Sequence, residues 1–132
     1  MNDTQNKVIL SDKLLEVIQN PPDSALSIVT TGKDGGHIVN SWNSYITLVD
    51  DYIILPAGRM NKTEENLKEN DQVEMTICNR EVQGRNYKGT GFLIRGKGFM
   101  QTQGPYLDKI TKTYPWARAA LVVKIESYEQ TL

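Results

Sequence analysis

Four consecutive residues, Asn61-Lys62-Thr63-Glu64, have the types and the order that a phosphate group asks for. Asn61 can cap a helix, and Glu64 stands three residues on, as in a capping box. The unpaired N–H groups and the positive dipole end of that helix then lie beside the Lys62 ammonium and the Thr63 hydroxyl. A charge-assisted hydrogen bond contributes about 1.5–3 kcal/mol and a favourable helix end up to ~2 kcal/mol, so a few such contacts anchor a small nucleotide at micromolar affinity. Taken alone, the four residues fit a capped surface helix with an exposed Lys better, because such helices are far commoner than phosphate sites.

The stretch upstream changes that balance. In a strand from His37 to Ile46, Ile38, Asn40, Trp42, Ser44 and Ile46 share one face, while Val39, Ser41, Asn43 and Tyr45 share the other. Neither face is purely apolar, and Asn40, Ser41 and Asn43, all weak strand formers, surround one Trp. Polar groups at fixed positions beside an aromatic suit the edge of a flat ring that carries both donors and acceptors, such as an isoalloxazine. The alternative is an edge strand with a polar face. Pro56-Ala57-Gly58 makes a bend between this strand and the Lys62 helix.

Other candidate groups read as structural. His37 is the only His and flanks a turn, whereas a zinc site needs several ligands at the right spacing. Asp50-Asp51 falls where a β-turn belongs, between Leu48-Val49 and Tyr52-Ile53-Ile54-Leu55, so both are turn residues rather than an acid–base pair. Cys78, the only Cys, is expected as a small buried thiol in the strand around Val73–Cys78. Gly84-Arg85-Asn86-Tyr87-Lys88-Gly89-Thr90-Gly91 approximates a phosphate-binding loop, but no Lys follows its second Gly and a strand pattern follows it. It is expected as a flexible connection, with Arg85 a dimer or ligand contact.

The elements that must position these groups follow from local signals. Ser11 caps a helix to Gln19, stopped by Pro21-Pro22. A strand from Ser24 to Thr31 leads through Gly32-Lys33-Asp34-Gly35-Gly36, a hairpin signal, into the His37 strand. After Tyr52–Leu55 come a helix from Lys62 to about Glu69, a strand from Gln72 to Asn79, and a long strand from Phe92 to about Thr102. Gly96 and Gly98 are the expected bend points of that strand. Gly104-Pro105 starts a last helix ended by Tyr114-Pro115, and Ala117 or Arg118 to Ser127 closes the chain as a strand. Six strands, hairpin-type connections and three short helices make a small, mainly β barrel.

Bulk properties narrow the classes. The 132 residues suffice for a single domain, residues 1–132, with its own core. Fifteen basic against sixteen acidic residues leave a formal charge of −1, which offers no basic field to nucleic acid or an anionic membrane. The opening MNDTQNKVIL lacks a basic region leading into an apolar run, and no segment approaches ~20 apolar residues. A cytoplasmic protein is expected, in which the Asn2-Asp3-Thr4 and Asn61-Lys62-Thr63 sequons are chance matches.

The chain resembles the short FMN-binding proteins of the flavin split-barrel superfamily, which includes pyridoxamine 5′-phosphate oxidase. Val39–Tyr45, Pro56–Gly58 with Met60–Glu64, Gly84–Asn86 with Gly89–Gly96, Trp116–Leu121 and the closing Glu129-Gln130-Thr131-Leu132 carry the resemblance, in order and over most of the chain. It implies a six-stranded antiparallel split β-barrel of Greek-key type and a homodimer with one FMN per subunit at the interface. By that resemblance Asn40, Ser41, Trp42 and Asn43 set the polarity around the ring, with Pro56, Ala57 and Gly58 beside it and Asn61, Lys62 and Thr63 at the phosphate. Trp116 reaches the flavin of the neighbouring subunit, and Leu132 lies near the ring. One segment departs from the pattern: Pro21-Pro22-Asp23 replaces a shorter joint in which an acidic residue approaches the cofactor, with Asp23 the available substitute. No residue stands out as an independent acid or base, which fits an electron carrier with an unidentified redox partner. The alternatives are a flavin-dependent oxidoreductase acting on a small molecule or nicotinamide cofactor, and a non-flavin binding module.

Overall fold

The computed structural model describes residues 7–132, and the Asn2-Asp3-Thr4 triplet lies outside them. Helix α1 spans Asp12–Gln19; Ser11 caps it by accepting the Leu14 amide at 3.2 Å, and Leu14, Val17 and Ile18 form its buried face. Strands β1 (Ala25–Gly32) and β2 (Gly35–Trp42) form a hairpin in register from Ala25↔Trp42 to Gly32↔Gly35, so the turn is Lys33-Asp34 alone. Gly35 takes φ +95°, the left-handed geometry such a turn requires. Then follow β3 (Thr47–Val49), β4 (Tyr52–Ala57), α2 (Asn61–Glu69), β5 (Gln72–Gln83), β6 (Lys88–Gln101), α3 (Pro105–Thr111) and β7 (Ala119–Gln130). Among the described residues no helix is long and apolar enough to cross a membrane.

The strands form one antiparallel sheet in the order β2-β1-β5-β6-β7-β4-β3. The expected six-stranded split barrel is therefore corrected to seven strands in one sheet that does not close. The extra strand arises because the predicted His37–Ile46 strand breaks after Trp42 into one turn of 3-10 helix, Asn43–Tyr45. There the Asn43 amide donates to Ser24 O at 2.9 Å and its side chain turns inward, after which Thr47–Val49 pairs with β4 only. The sheet's two edges, β2 and β3, are thus joined by residues 43–46, which keeps them within ~18 Å of each other. The sheet rolls up with a gap, and the turn spans the gap.

Leu26, Ile28, Met75, Ile94, Leu121 and Val123 fill the inside under α1, each burial contributing ~1.5–3 kcal/mol. The other face of β4 and β7 is covered as well, since Ile54, Ala120 and Val122 pack against Ile110 of α3. That double burial explains why Leu121-Val122-Val123 is continuously apolar. At Gly96 the β6–β7 register shifts, Glu126 of β7 being left out of the pairing, and a Cβ on Gly96 would meet Lys124 O.

Three local expectations are corrected, and one is extended. Val73, Met75 and Ile77 face inward, so strand alternation turns Cys78 outward, and the thiol is exposed. Half of Gly84–Gly91 is strand: residues 84–87 connect β5 to β6, while Lys88–Gly91 open β6, and Gly91 packs so closely on Ile77 O that a Cβ would lie 2.5 Å from it. Asp50 and Asp51 form the expected turn between β3 and β4, Asp50 at φ 53°, and Asp51 is in addition buried, where it pairs with Lys124 and accepts the Val8 amide at 2.9 Å. Burial opposes the charged form of Asp51, yet the bonds from Lys124 and Val8 and the Lys124 charge hold its carboxyl below the ordinary value. Finally, Asn61 is the first residue of α2 and not its cap; Met60, at φ 60°, ψ 39°, is the cap and makes no side-chain bond.

Candidate functional site

The first turn of α2 is presented by a strained approach. Met60 in the left-handed region turns the chain sharply, and the first helical bond is Glu64 N–H to Met60 O at 3.0 Å. The amides of Asn61, Lys62 and Thr63 precede that bond and converge at the positive end of the helix. Thr63 is 1 % exposed, and its Oγ1 has no hydrogen-bond partner. A buried hydroxyl left unsatisfied costs about 1–3 kcal/mol, so it marks a place where an acceptor belongs.

Lys62 sits at the second helical position, where the dipole disfavours a cation. Its Nζ lies 2.9 Å from Asp34 Oδ2 and 3.7 Å from Glu65 Oε1. The Asp34 hydrogen bond is the largest influence on Lys62 and, with the charges of Asp34 and Glu65, raises its pKa over the opposing effect of burial.

Arg118 clamps the loop that delivers α2. Its amide donates to Ala57 O at 2.9 Å, its Nε donates to Arg59 O at 2.9 Å, and its Nη1 pairs with Glu64 Oε1 at 2.9 Å. The remaining Nη2 is buried without a partner. Of the three unpartnered buried side-chain polar atoms among the described residues, two are therefore potential donors on residues that build this turn, Thr63 Oγ1 and Arg118 Nη2.

An aromatic surface adjoins the turn. Pro56 and Ala57 are buried at the end of β4, paired with Ala120 and Ala119, whereas Gly58 is exposed beneath the Trp116 indole. Trp116, half exposed, lies 5.8 Å from Tyr45 and 5.9 Å from Tyr114, and the two tyrosine rings are 5.0 Å apart. Tyr114 OH donates to Ser44 O at 3.2 Å, which ties this cluster to the turn after β2. Asp23 fastens the same turn by accepting the Ser44 amide at 2.9 Å and the Ser44 hydroxyl at 2.7 Å. Burial works against the Asp23 charge, but these bonds and the Ser24 amide outweigh it and hold the carboxyl below the ordinary value.

On β2 the predicted ring residues separate into two groups. Asn40 and Trp42 are exposed, and Ser41 is half-buried; the Asn40 Nδ2 donates to Leu26 O at 3.0 Å and Ser27 Oγ at 3.2 Å, which fixes the amide's orientation. Asn43 instead is 3 % exposed, and its Nδ2 donates to Val17 O and Cys78 O, so it anchors α1 and β5 beneath the turn. Leu132 is fixed at a distance from α2. Its carbonyl accepts Thr90 Oγ1 at 2.8 Å, Gln130 Nε2 at 3.0 Å and the Arg85 amide at 3.3 Å. Gly58 adjoins the Ala119 end of β7 and Leu132 follows the Gln130 end, roughly 30 Å along the strand.

One chain thus gathers Gly58, Asn61, Lys62, Thr63 and Trp116 at one end of β7 and places Leu132 beyond the other. Sequence reasoning missed Asp34 and Arg118. Asp34 carries only turn chemistry in the sequence, while Arg118 stands beside Trp116 in a stretch already singled out, and its partly buried side chain gave no signal there.

Comparison with known proteins places these features in context. Residues 10–132 match the family model described as pyridoxamine 5′-phosphate oxidase. A protein of Nitratidesulfovibrio vulgaris (strain DSM 19637 / Miyazaki F) named FMN-binding protein is 46% identical over 125 residues, covering 94% of this chain and 100% of that protein. Among solved structures, HupZ of Group A Streptococcus superposes with a TM-score of 0.75 at 19% identity over 92% of this chain and 94% of its own. An FMN-binding protein from Syntrophomonas wolfei gives a TM-score of 0.66 at 21% identity, covering 92% and 85%. These two likenesses bear on the fold alone.

Proposed function

The chain belongs to the pyridoxamine 5′-phosphate oxidase family, and on that footing we propose that it is a small flavoprotein that binds FMN and carries electrons. The observation that carries this reading is the Thr63 hydroxyl, buried without a partner in the first turn of α2, where it follows Lys62 in sequence and shares the turn with the three amides that precede the first helical bond. An acceptor-rich dianion fits that set of donors, and the ester phosphate of FMN is one. The relative named FMN-binding protein supports the choice of ligand.

In this account Lys62, Thr63 and the amides of residues 61–63 hold the phosphate, and Arg118 keeps the loop in place. Asn40, Ser41 and Trp42 meet the ring edge. FMN, when bound, supplies the redox chemistry. Leu132 lies too far along β7 to join the site of its own α2, which supports a homodimer in which a second copy provides it.

The test is the visible spectrum of the purified protein, with the released chromophore identified by mass, followed by anaerobic mixing with a reduced nicotinamide. A yellow, FMN-containing protein that a nicotinamide reduces slowly and without saturation is the expected result. Rapid, saturable reduction would make it an FMN-dependent oxidoreductase instead, and a colourless protein that takes up no added FMN would overturn the reading.

A further inference from the structure

We propose that Asp34 is the internal counter-anion of the α2 phosphate site, pairing Lys62 until a phosphate ester displaces it, and that it thereby sets how strongly the site selects phosphorylated ligand. The inference rests on the phosphate-site reading above and adds a residue to it.

Lys62 occupies a helix position where the macrodipole opposes its charge, and a residue that breaks a local rule needs a compensating partner. In the structure that partner is Asp34, at 2.9 Å. The sequence builds the meeting deliberately. The turn Lys33-Asp34 is only two residues long, and Gly32 lies so close to Asn66 of α2 that any Cβ would collide with its side chain. The hairpin tip is therefore pressed against the helix, with Lys33 pairing Glu69 at one end of α2 and Asp34 pairing Lys62 at the other.

Asp34 satisfies this site only in part. With the carboxylate in place, the Thr63 hydroxyl still has no partner. A phosphate offers three acceptor oxygens and up to two charges, so it can take Lys62, Thr63 and the amides together. The Asp34 side chain is 80% exposed, and an ion pair that wet is weak enough to be exchanged. Every phosphorylated ligand must displace it, while an unphosphorylated analogue leaves it undisturbed.

The experiment titrates the full-length, flavin-free protein with FMN and with riboflavin at low salt in a phosphate-free buffer, comparing wild type, Asp34→Asn, Lys62→Ala and the double variant. Asn suits the turn, so the fold is retained. Asp34→Asn is expected to tighten FMN about 2- to 5-fold, to leave riboflavin unchanged, and to have no effect once Lys62 is Ala. Weaker or unchanged FMN binding in Asp34→Asn, or an equal shift for riboflavin, overturns the proposal. Should the wild type bind neither flavin, the flavin reading fails by itself. Thermal stabilisation by inorganic phosphate then decides the Asp34 role, which stands if the stabilisation is larger in Asp34→Asn and absent in Lys62→Ala, and falls otherwise.

Discussion

The Trp116 indole lies 3.5 Å from the point that a side chain on Gly58 would occupy, so the loop after β4 and the connection before β7 close on each other across the space of one methyl group. Because Trp116 also meets Tyr45 and Tyr114, that contact joins the α2 approach to the turn after β2.

Gly58→Ala places its methyl in ordinary contact with the indole and is expected to change stability by less than about 0.5 kcal/mol. Gly58→Leu has no room without moving the ring. Its tryptophan emission shifts to the red at unchanged secondary structure, whereas an unshifted spectrum would show that Trp116 does not rest on Gly58 in solution.

Thr63→Val separates binding from stability. A methyl in place of an unsatisfied buried hydroxyl is expected to stabilise the flavin-free protein by ~1 kcal/mol, while FMN affinity falls about tenfold. Urea unfolding and an FMN titration read the two effects. Loss of both stability and affinity would mean that the hydroxyl has a structural partner and not a ligand.

Asp51→Ala removes the carboxylate that Lys124 and the Val8 amide share in a buried site, with an expected loss of about 3 kcal/mol in urea unfolding. The carboxyls of Asp51 and Asp23 both titrate below their ordinary values, so their stabilisation is present above the unfolded value near ~3.9 and is lost as pH falls through the folded values. Wild-type stability is therefore flat from about pH 7 to 5 and falls below about pH 4. In Asp51→Asn that acid decline is shallower; an equally steep decline would assign it to other groups.

A site shared between copies predicts complementation. Lys62→Ala and Leu132→Ala each lower FMN binding as separate proteins, and a mixed dimer of the two regains one intact site, with Lys62 from one copy and Leu132 from the other. Refolding an equimolar mixture and counting tight FMN sites checks this. No recovery would place Leu132 outside the site or within the site of its own chain.

Much of this was legible in the sequence, for stated reasons. The Ser11 cap and the Lys33-Asp34 turn between Gly32 and Gly35 follow from local backbone preference, and tertiary contacts did not override them. The outward Cys78 was readable too, because Val73, Met75 and Ile77 already fix which face of β5 is buried. Asn43 was not: its inward turn depends on the carbonyls of Val17 and Cys78, distant in sequence, and it split one predicted strand into a strand and a 3-10 turn. Asp51 was legible as a turn residue, but its buried ion pair was not, because its partner, Lys124, lies on β7. Lys62 and Thr63 were found from helix-end chemistry, whereas Asp34 and Arg118 enter only through the packing of a hairpin tip and a loop against α2.

The most direct measurement is the ratio of riboflavin to FMN dissociation constants for the flavin-free wild type, because it isolates what the first turn of α2 contributes. Contacts by Lys62, Thr63 and the helix amides, each worth about 1.5–3 kcal/mol, predict FMN at least tenfold tighter than riboflavin, with the advantage shrinking as salt is added. Equal affinity for the two flavins, or no uptake of FMN, would contradict the assignment of this turn as a phosphate site.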